Sequence, residues 1–264
     1  GDNNFILQKF KTFYLNICKH EKCKSGTAYI DFFDKKFFIA SANGIFGYTD
    51  SKNFNNKNFS MKVINSNIQD IVDYDLFYKT SRFGIKDLFI YKNKIYISLS
   101  YELRDHCFNT SILVADLNFE KLEFEEFFIP KTCLGFEFEN FNPHHSGGRL
   151  FSYKDNKILF SSGEYKKREF AQDKNNVFGK IIDIDIESKE YKIISMGHRN
   201  PQGLFYDKKE NIIFSTDHGP LGGDEINISF LNSKSVDNFG WPISSYGKHY
   251  GKYLQIRESN LHKM

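Results

Sequence analysis

The chain has 264 residues, 40% of them hydrophobic and 17% aromatic, enough for a packed core in one large domain or two small ones. Its 36 basic and 33 acidic residues leave a net charge of +3, spread as single lysines among Asn and Asp; without a basic stripe, nucleic acid is not expected as a partner. The longest apolar runs, such as the one centred on Ile158, Leu159 and Phe160, fall far short of the roughly 20 residues of a spanning helix, so no membrane span is expected.

Gly1 to Phe10 show neither a charged segment leading into an apolar one nor a small-residue cleavage site, so a targeting peptide is expected to have been removed or to lie upstream. Cys18, Cys23, Cys107 and Cys133 allow three pairings. Two local disulfides are favoured, which would suit an oxidising compartment; unpaired buried thiols are the alternative. The spacing of Cys18 and Cys23 is not that of a CxxC half-site, and no structural zinc is expected.

Amphipathic helical periodicity is scarce, whereas short segments rich in Ile, Phe, Tyr and Val recur between polar turns, which predicts an all-β chain. One hairpin pattern returns four times, at Tyr29 to Ala40, Leu88 to Ser98, Leu150 to Ser161 and Leu204 to Ser215. From Ile30 the steps to Leu88, Leu150 and Leu204 are 58, 62 and 54 residues, close to the period of propeller blades with added loop. Such sheets hide their apolar faces by stacking around an axis. A β-sandwich would space its strands more closely and evenly. At this period the chain holds four to five blades, so either the ring is small or the sequence is part of a larger ring.

Three polar clusters follow or separate these hairpins, where a propeller places its axial loops. The first, His144-His145-Ser146-Gly147-Gly148-Arg149-Leu150, puts imidazoles on a backbone free to approach a ligand, and histidine is the usual proton acceptor near neutral pH. Its plainer reading is a polar loop with one histidine bonded to the backbone. The second, Gly197-His198-Arg199-Asn200-Pro201-Gln202-Gly203-Leu204, offers a guanidinium fork for a carboxylate or quinone oxygen, or else a structural arginine tying loop carbonyls together. The third, Asp217 to Asn227 (DHGPLGGDEIN) with Asn238-Phe239-Gly240-Trp241-Pro242, offers hard oxygen ligands on a glycine-rich loop, as calcium requires, or an ordinary acidic turn. It lacks the spacing of an EF-hand. The histidines at 144, 145, 198 and 218 have no zinc-ligand spacing.

Taken in order, HHSGGRL, AQDKNNVFGKI, GHRNPQGL, DHGPLGGDEIN and the Gly-Trp-Pro turn with SSYG resemble the soluble quinoprotein glucose dehydrogenases and their aldose-dehydrogenase relatives, over about Leu88 to Tyr250. The resemblance implies a six-bladed β-propeller, incomplete here, as one domain over residues 1–264 with its C-terminal blades missing. It implies pyrroloquinoline quinone (PQQ) and calcium as cofactors, an aldose sugar or related alcohol as substrate, an external electron acceptor, and a periplasmic or secreted location. His145 matches the catalytic base. Arg199 and Asn200 match residues that contact the quinone, and Gly219 and Pro220 match the pair whose carbonyls hold its calcium. Asp224 matches an acidic residue beside the substrate, and Glu225 one that helps bind a second calcium. Three positions depart from the pattern: Arg82 replaces a cofactor-touching Gln, Lys86 the second Leu of a Gly-Leu-Leu, and Phe239 a Tyr. The Lys and Arg residues that grip the quinone carboxylates in the family come from later blades. The alternative from another class is a non-catalytic binding propeller, as in the hedgehog-interacting proteins.

Overall fold

A computed structural model describes residues 28–55, 61–73, 76–77, 83–232 and 235–248; Cys18, Cys23, Arg82 and Tyr250 lie outside them. Each predicted hairpin is the opening strand pair of one blade. The first two turn on Asp34-Lys35 and Lys92-Asn93, all four at positive φ, the two-residue geometry that matches the right-handed twist of paired strands.

Four antiparallel sheets result. The first blade comprises Ala28–Phe33, Lys36–Ser41, Phe46–Asp50 and Lys62–Ser66. The second comprises Ile85–Tyr91, Lys94–Arg104 and Cys107–Asp116, with Glu125–Phe128 and Leu134–Gly135 paired to the last of these. The third comprises Gly147–Tyr153, Lys157–Ser162, Lys180–Asp185 and Tyr191–Met196, and the fourth Pro201–Asp207, Ile212–Asp217 and Glu225–Phe230. Opening strands of successive blades touch one another and so line a common axis. Two short parallel straps, Lys121–Leu122 and Asp237–Asn238, run back from later in the chain to the outer strands of the first and third blades. No helix among the described residues is long and apolar enough to cross a membrane.

The blades hold together because their middle strands are buried on both faces. Along Lys94–Arg104, Ile95, Ile97 and Leu99 join the core shared with the first blade, while Tyr96 points the other way into the core shared with the third. Lys157–Ser162 repeats this, with Ile158 and Phe160 facing the second blade and Leu159 the fourth. Such strands carry unbroken apolar runs instead of alternating ones, which is why Ile158, Leu159 and Phe160 follow one another. The fourth blade's far side exposes Phe205, Ile226 and Phe230, and the first blade exposes Ile30, Phe32 and Val63. Neither face has a neighbouring blade among the described residues.

Carboxylates on the opening strands, Asp31 half-buried and Asp87 buried, stitch the blades further. Asp31 accepts the backbone N–H of Ile90 at 2.6 Å, and Asp87 accepts that of Leu150 at 2.7 Å, with Arg149 bonded to its other oxygen. Cys107 and Cys133 form a disulfide, as local pairing requires, beside the short pairing of Leu134–Gly135 with Cys107 and Phe108. Phe160 is fully buried between the second and third blades. Phe160→Ala is therefore expected to lower stability by about 3–5 kcal/mol, read as a shift in urea midpoint at unchanged slope.

Candidate active site

His145 lies just before the opening strand of the third blade, on a segment clamped from two sides. Thr110 of the second blade donates to the Ser146 carbonyl at 2.7 Å, and the Tyr165 and Gly163 amides bond the His145 and Ser146 carbonyls. Gly148 has φ +113° and approaches the second blade so closely that a Cβ would stand 2.3 Å from that of Lys86, so only glycine fits.

The His145 ring is buried between two partners. Its Nδ1 is 2.6 Å from Glu164 Oε1, and its Nε2 is 3.2 Å from an Arg199 terminal nitrogen. Arginine has no acceptor, so it donates to Nε2, which must carry a lone pair; the ring proton is then on Nδ1 and is donated to Glu164. Burial, followed by the positive charges of Arg199, Lys166 and Arg168, drives the imidazole down to about 2, so the ring is neutral near pH 7. Complete burial pushes Glu164 up to about 8 against the pull of Arg199 and Arg168. Its Oε2 is buried without a partner.

Arg199 is aimed by its own loop. Asp217, at the end of the fourth blade's second strand, accepts the backbone N–H groups of Arg199 at 3.0 Å and Asn200 at 2.6 Å, and lies 3.2 Å from His198 Nδ1. The guanidinium donates to the carbonyls of His218 at 2.5 Å and Gly219 at 3.0 Å and lies 5.5 Å from the Trp241 ring centroid. Three loops, 19 to 54 residues from Arg199 along the chain at their contacts, thus meet on one guanidinium. Asn200 is buried beside it, but its side-chain oxygen accepts the Gly147 amide and ties the first cluster to the second.

The remaining predicted residues stand further out. Asp224 is exposed and bonds His218 Nδ1 and the Gly219 amide, which holds its carboxyl below the usual range and shapes the Gly219 turn. The Pro220 carbonyl accepts the Gly223 amide at 2.8 Å. Gly219 is packed so tightly on Gly223 that any side chain would collide. Glu225 bonds Asn227 and, with Asp217, His218 and Asp224, lines a separate cleft of about 370 Å³.

The donor set suits an anionic, carboxylate-bearing quinone, since a guanidinium stands beside a neutral histidine. For calcium the fit is partial. The Gly219 and Pro220 carbonyls each keep a second lone pair, but two carbonyls fall short of the six to eight oxygens that calcium takes. Asp217, Asp224 and Glu225 do not draw together as a three-ligand cluster; among the described residues the only such cluster is Glu102, Asp105 and His106, on the surface of the second blade.

The sequence profile described as Glucose / Sorbosone dehydrogenase matches residues 66–263. The chain belongs to the glucose/sorbosone dehydrogenase family. Among its relatives, the aldose sugar dehydrogenase YliI of Escherichia coli K12 is 31% identical over 123 residues, which is 42% of this chain and 32% of that protein. Quinoprotein glucose dehydrogenase B of Acinetobacter calcoaceticus is 26% identical over 152 residues, 44% of this chain and 31% of its own length. The matches thus span about a third of these curated relatives. Among solved structures, the apo aldose sugar dehydrogenase of E. coli superposes with TM-score 0.65 at 22% identity, over 85% of this chain and 69% of that one. The PQQ-bound aldose sugar dehydrogenase of Streptomyces coelicolor gives 0.59 at 17%, over 83% and 67%. At these identities the structures establish the propeller fold.

Sequence reasoning missed Glu164 and the anchoring role of Asp217 in this glucose/sorbosone dehydrogenase family member. The one available signal for Glu164 was a carboxylate shortly after the apolar run 158–160, between Gly163 and Tyr165. Removing the neighbouring charge should test the electrostatics. In Arg199→Met the His145 imidazole is expected to titrate higher than in the parent protein, because one cause of its depression is gone, and NMR of the ring nitrogens against pH would read the shift.

Proposed function

We propose that this protein oxidises an aldose sugar or related alcohol at the anomeric C–OH, with PQQ as hydride acceptor and His145 as base. The observation that carries this reading is the His145 ring itself: a bare Nε2 faces Arg199 while Nδ1 is anchored on a fully buried glutamate. PQQ, when bound, supplies the electrophilic carbon that takes the hydride. His145 Nε2 takes the hydroxyl proton, and Glu164 Oε1 holds the ring through its Nδ1–H so that Nε2 stays aimed at the substrate. Arg199, freed from Nε2 as substrate enters, offers its donors to the oxygen on which negative charge grows. Asn200 keeps the two loops in register. Asp224 fixes the turn bearing Gly219 and, in this reading, faces the bound molecules at the rim.

The Gly219 and Pro220 carbonyls would hold calcium, which would supply positive charge beside the cofactor, and Glu225 would help hold a second ion. Continued turnover requires an external electron acceptor. The Cys107–Cys133 disulfide favours an oxidising compartment, periplasmic or secreted.

The test is sugar-dependent dye reduction after addition of PQQ and calcium. His145→Ala is expected to lower turnover by about 10²–10⁴-fold, the usual worth of a positioned base; unchanged turnover would refute the assignment. Sugar binding without dye reduction would point instead to a binding propeller. Because the imidazole is held down rather than up, the base form persists as pH falls, so activity should show no acid limb at the ordinary histidine value near 6.5. Glu164→Gln should cut kcat more than it raises KM, with partial recovery in Glu164→Asp.

A further inference from the structure

Trp241 is the single tryptophan of the chain, and the fold buries it where three segments meet. Its amide donates to the Gly197 carbonyl at 3.0 Å, and its carbonyl accepts the Gln172 side chain at 2.6 Å. Gln172 ends the short 3₁₀ turn Arg168–Gln172, which the buried Lys180 ammonium fastens by donating to the Phe170 and Ala171 carbonyls at 2.7 and 3.0 Å. The indole is thus tied both to the loop that carries Arg199 and to the turn that carries Arg168. Both guanidinia lie over its ring, Arg168 at 5.4 Å and Arg199 at 5.5 Å from the centroid. Two like charges drawn this close repel, and the electron-rich face of a buried indole offsets part of that cost.

We propose that Trp241 is a positioning residue: its ring holds the Arg199 guanidinium against His145 Nε2, while Arg168 braces the same ring from the neighbouring turn. The part this plays in turnover rests on the function proposed above; the hold on His145 does not. An indole face suits the task because a cation–π contact has no fixed donor–acceptor line, so Arg199 can pass from the histidine to a reacting oxygen without leaving the ring. Its other terminal nitrogen is anchored on the His218 and Gly219 carbonyls, which confines that movement to the end facing His145. Burial pulls the Arg168 guanidinium down from its ordinary value, Glu164 pulls it up and Arg199 pushes it down again, as expected of two cations that share one side chain.

Ring-nitrogen NMR of His145 at neutral pH, assigned by the loss of its signals in His145→Ala, reads the hold directly, because the two nitrogens differ most when one tautomer is fixed. In the parent protein the proton sits on Nδ1 alone. Trp241→Leu, once circular dichroism confirms its fold, is expected to move both signals toward their mean, as Arg199→Met does. Trp241→Phe, which keeps an aromatic face, restores most of the separation. In the double variant of Trp241→Leu with Arg199→Met the signals should match Arg199→Met alone, since the tryptophan acts only through the arginine. With PQQ and calcium, kcat in Trp241→Leu should fall about tenfold at little change in KM, again without adding to the loss in Arg199→Met. Parent signals in Trp241→Leu, or displacements that add in the double variant, overturn the proposal. A parent protein that turns over no sugar sinks the proposed function, while the ring nitrogens still decide the role of Trp241. Should Trp241→Leu misfold, the emission of this single tryptophan serves instead: Arg199→Met and Arg168→Met are each expected to shift it, and emission unmoved by either overturns the contact.

Discussion

Asp217 is almost wholly buried, and both its oxygens are occupied, by the Arg199 and Asn200 amides and by the ring of His198. Those bonds fix the backbone from which Arg199 reaches the His218 and Gly219 carbonyls on one side and His145 Nε2 on the other. A buried carboxylate is tolerated only where its hydrogen bonds are filled, and filling them here dictates the path of the 197–200 loop. Arg199 in turn fixes the tautomer of His145, because a guanidinium can only donate. The reactive lone pair is therefore set by a residue that touches neither the histidine nor the arginine side chain.

The same physical device holds the scaffold. Asp31 and Asp87 reach from one opening strand to the backbone amides of the next, doing between blades what Asp217 does between loops. These bonds run across the seams where the apolar cores of adjacent blades meet, so each seam has a directional element as well as a hydrophobic one. Directionality matters near the axis, because the loops bearing His145 and Arg199 leave the sheets there, and a slip of one blade would part them. Backbone bonds repeat the theme: the Glu164 amide donates to the Arg199 carbonyl at 3.0 Å, binding the two partners of His145 to each other.

Much of this was open to reading before folding. The four hairpins declare themselves because tight polar turns interrupt β-branched and aromatic runs at a steady interval, and a repeat of that length has few architectures that bury it. Glycines beside His145 and around Gly219 mark backbones under steric demand, and at Gly148 and Gly219 a Cβ would collide. Glu164 was hidden for a contrary reason. Its neighbours in sequence are an apolar strand and a tyrosine, and nothing local distinguishes it from a carboxylate at a strand end. Asp224 was legible as a candidate from its acidic, glycine-rich setting, but its bonds to His218 and the Gly219 amide, which shape the turn, were not.

What the sequence by itself determined is the class of architecture and the identity of the loops that carry chemistry, since both follow from local preferences of a few residues repeated along the chain. The tertiary structure alone decided which nitrogen of His145 carries the proton and which carboxylate supports it. Those properties depend on distances between residues 19 to 54 positions apart and on the water excluded around them. Proton position and charge cost are functions of that environment, which exists only once the loops of the third and fourth blades have packed together.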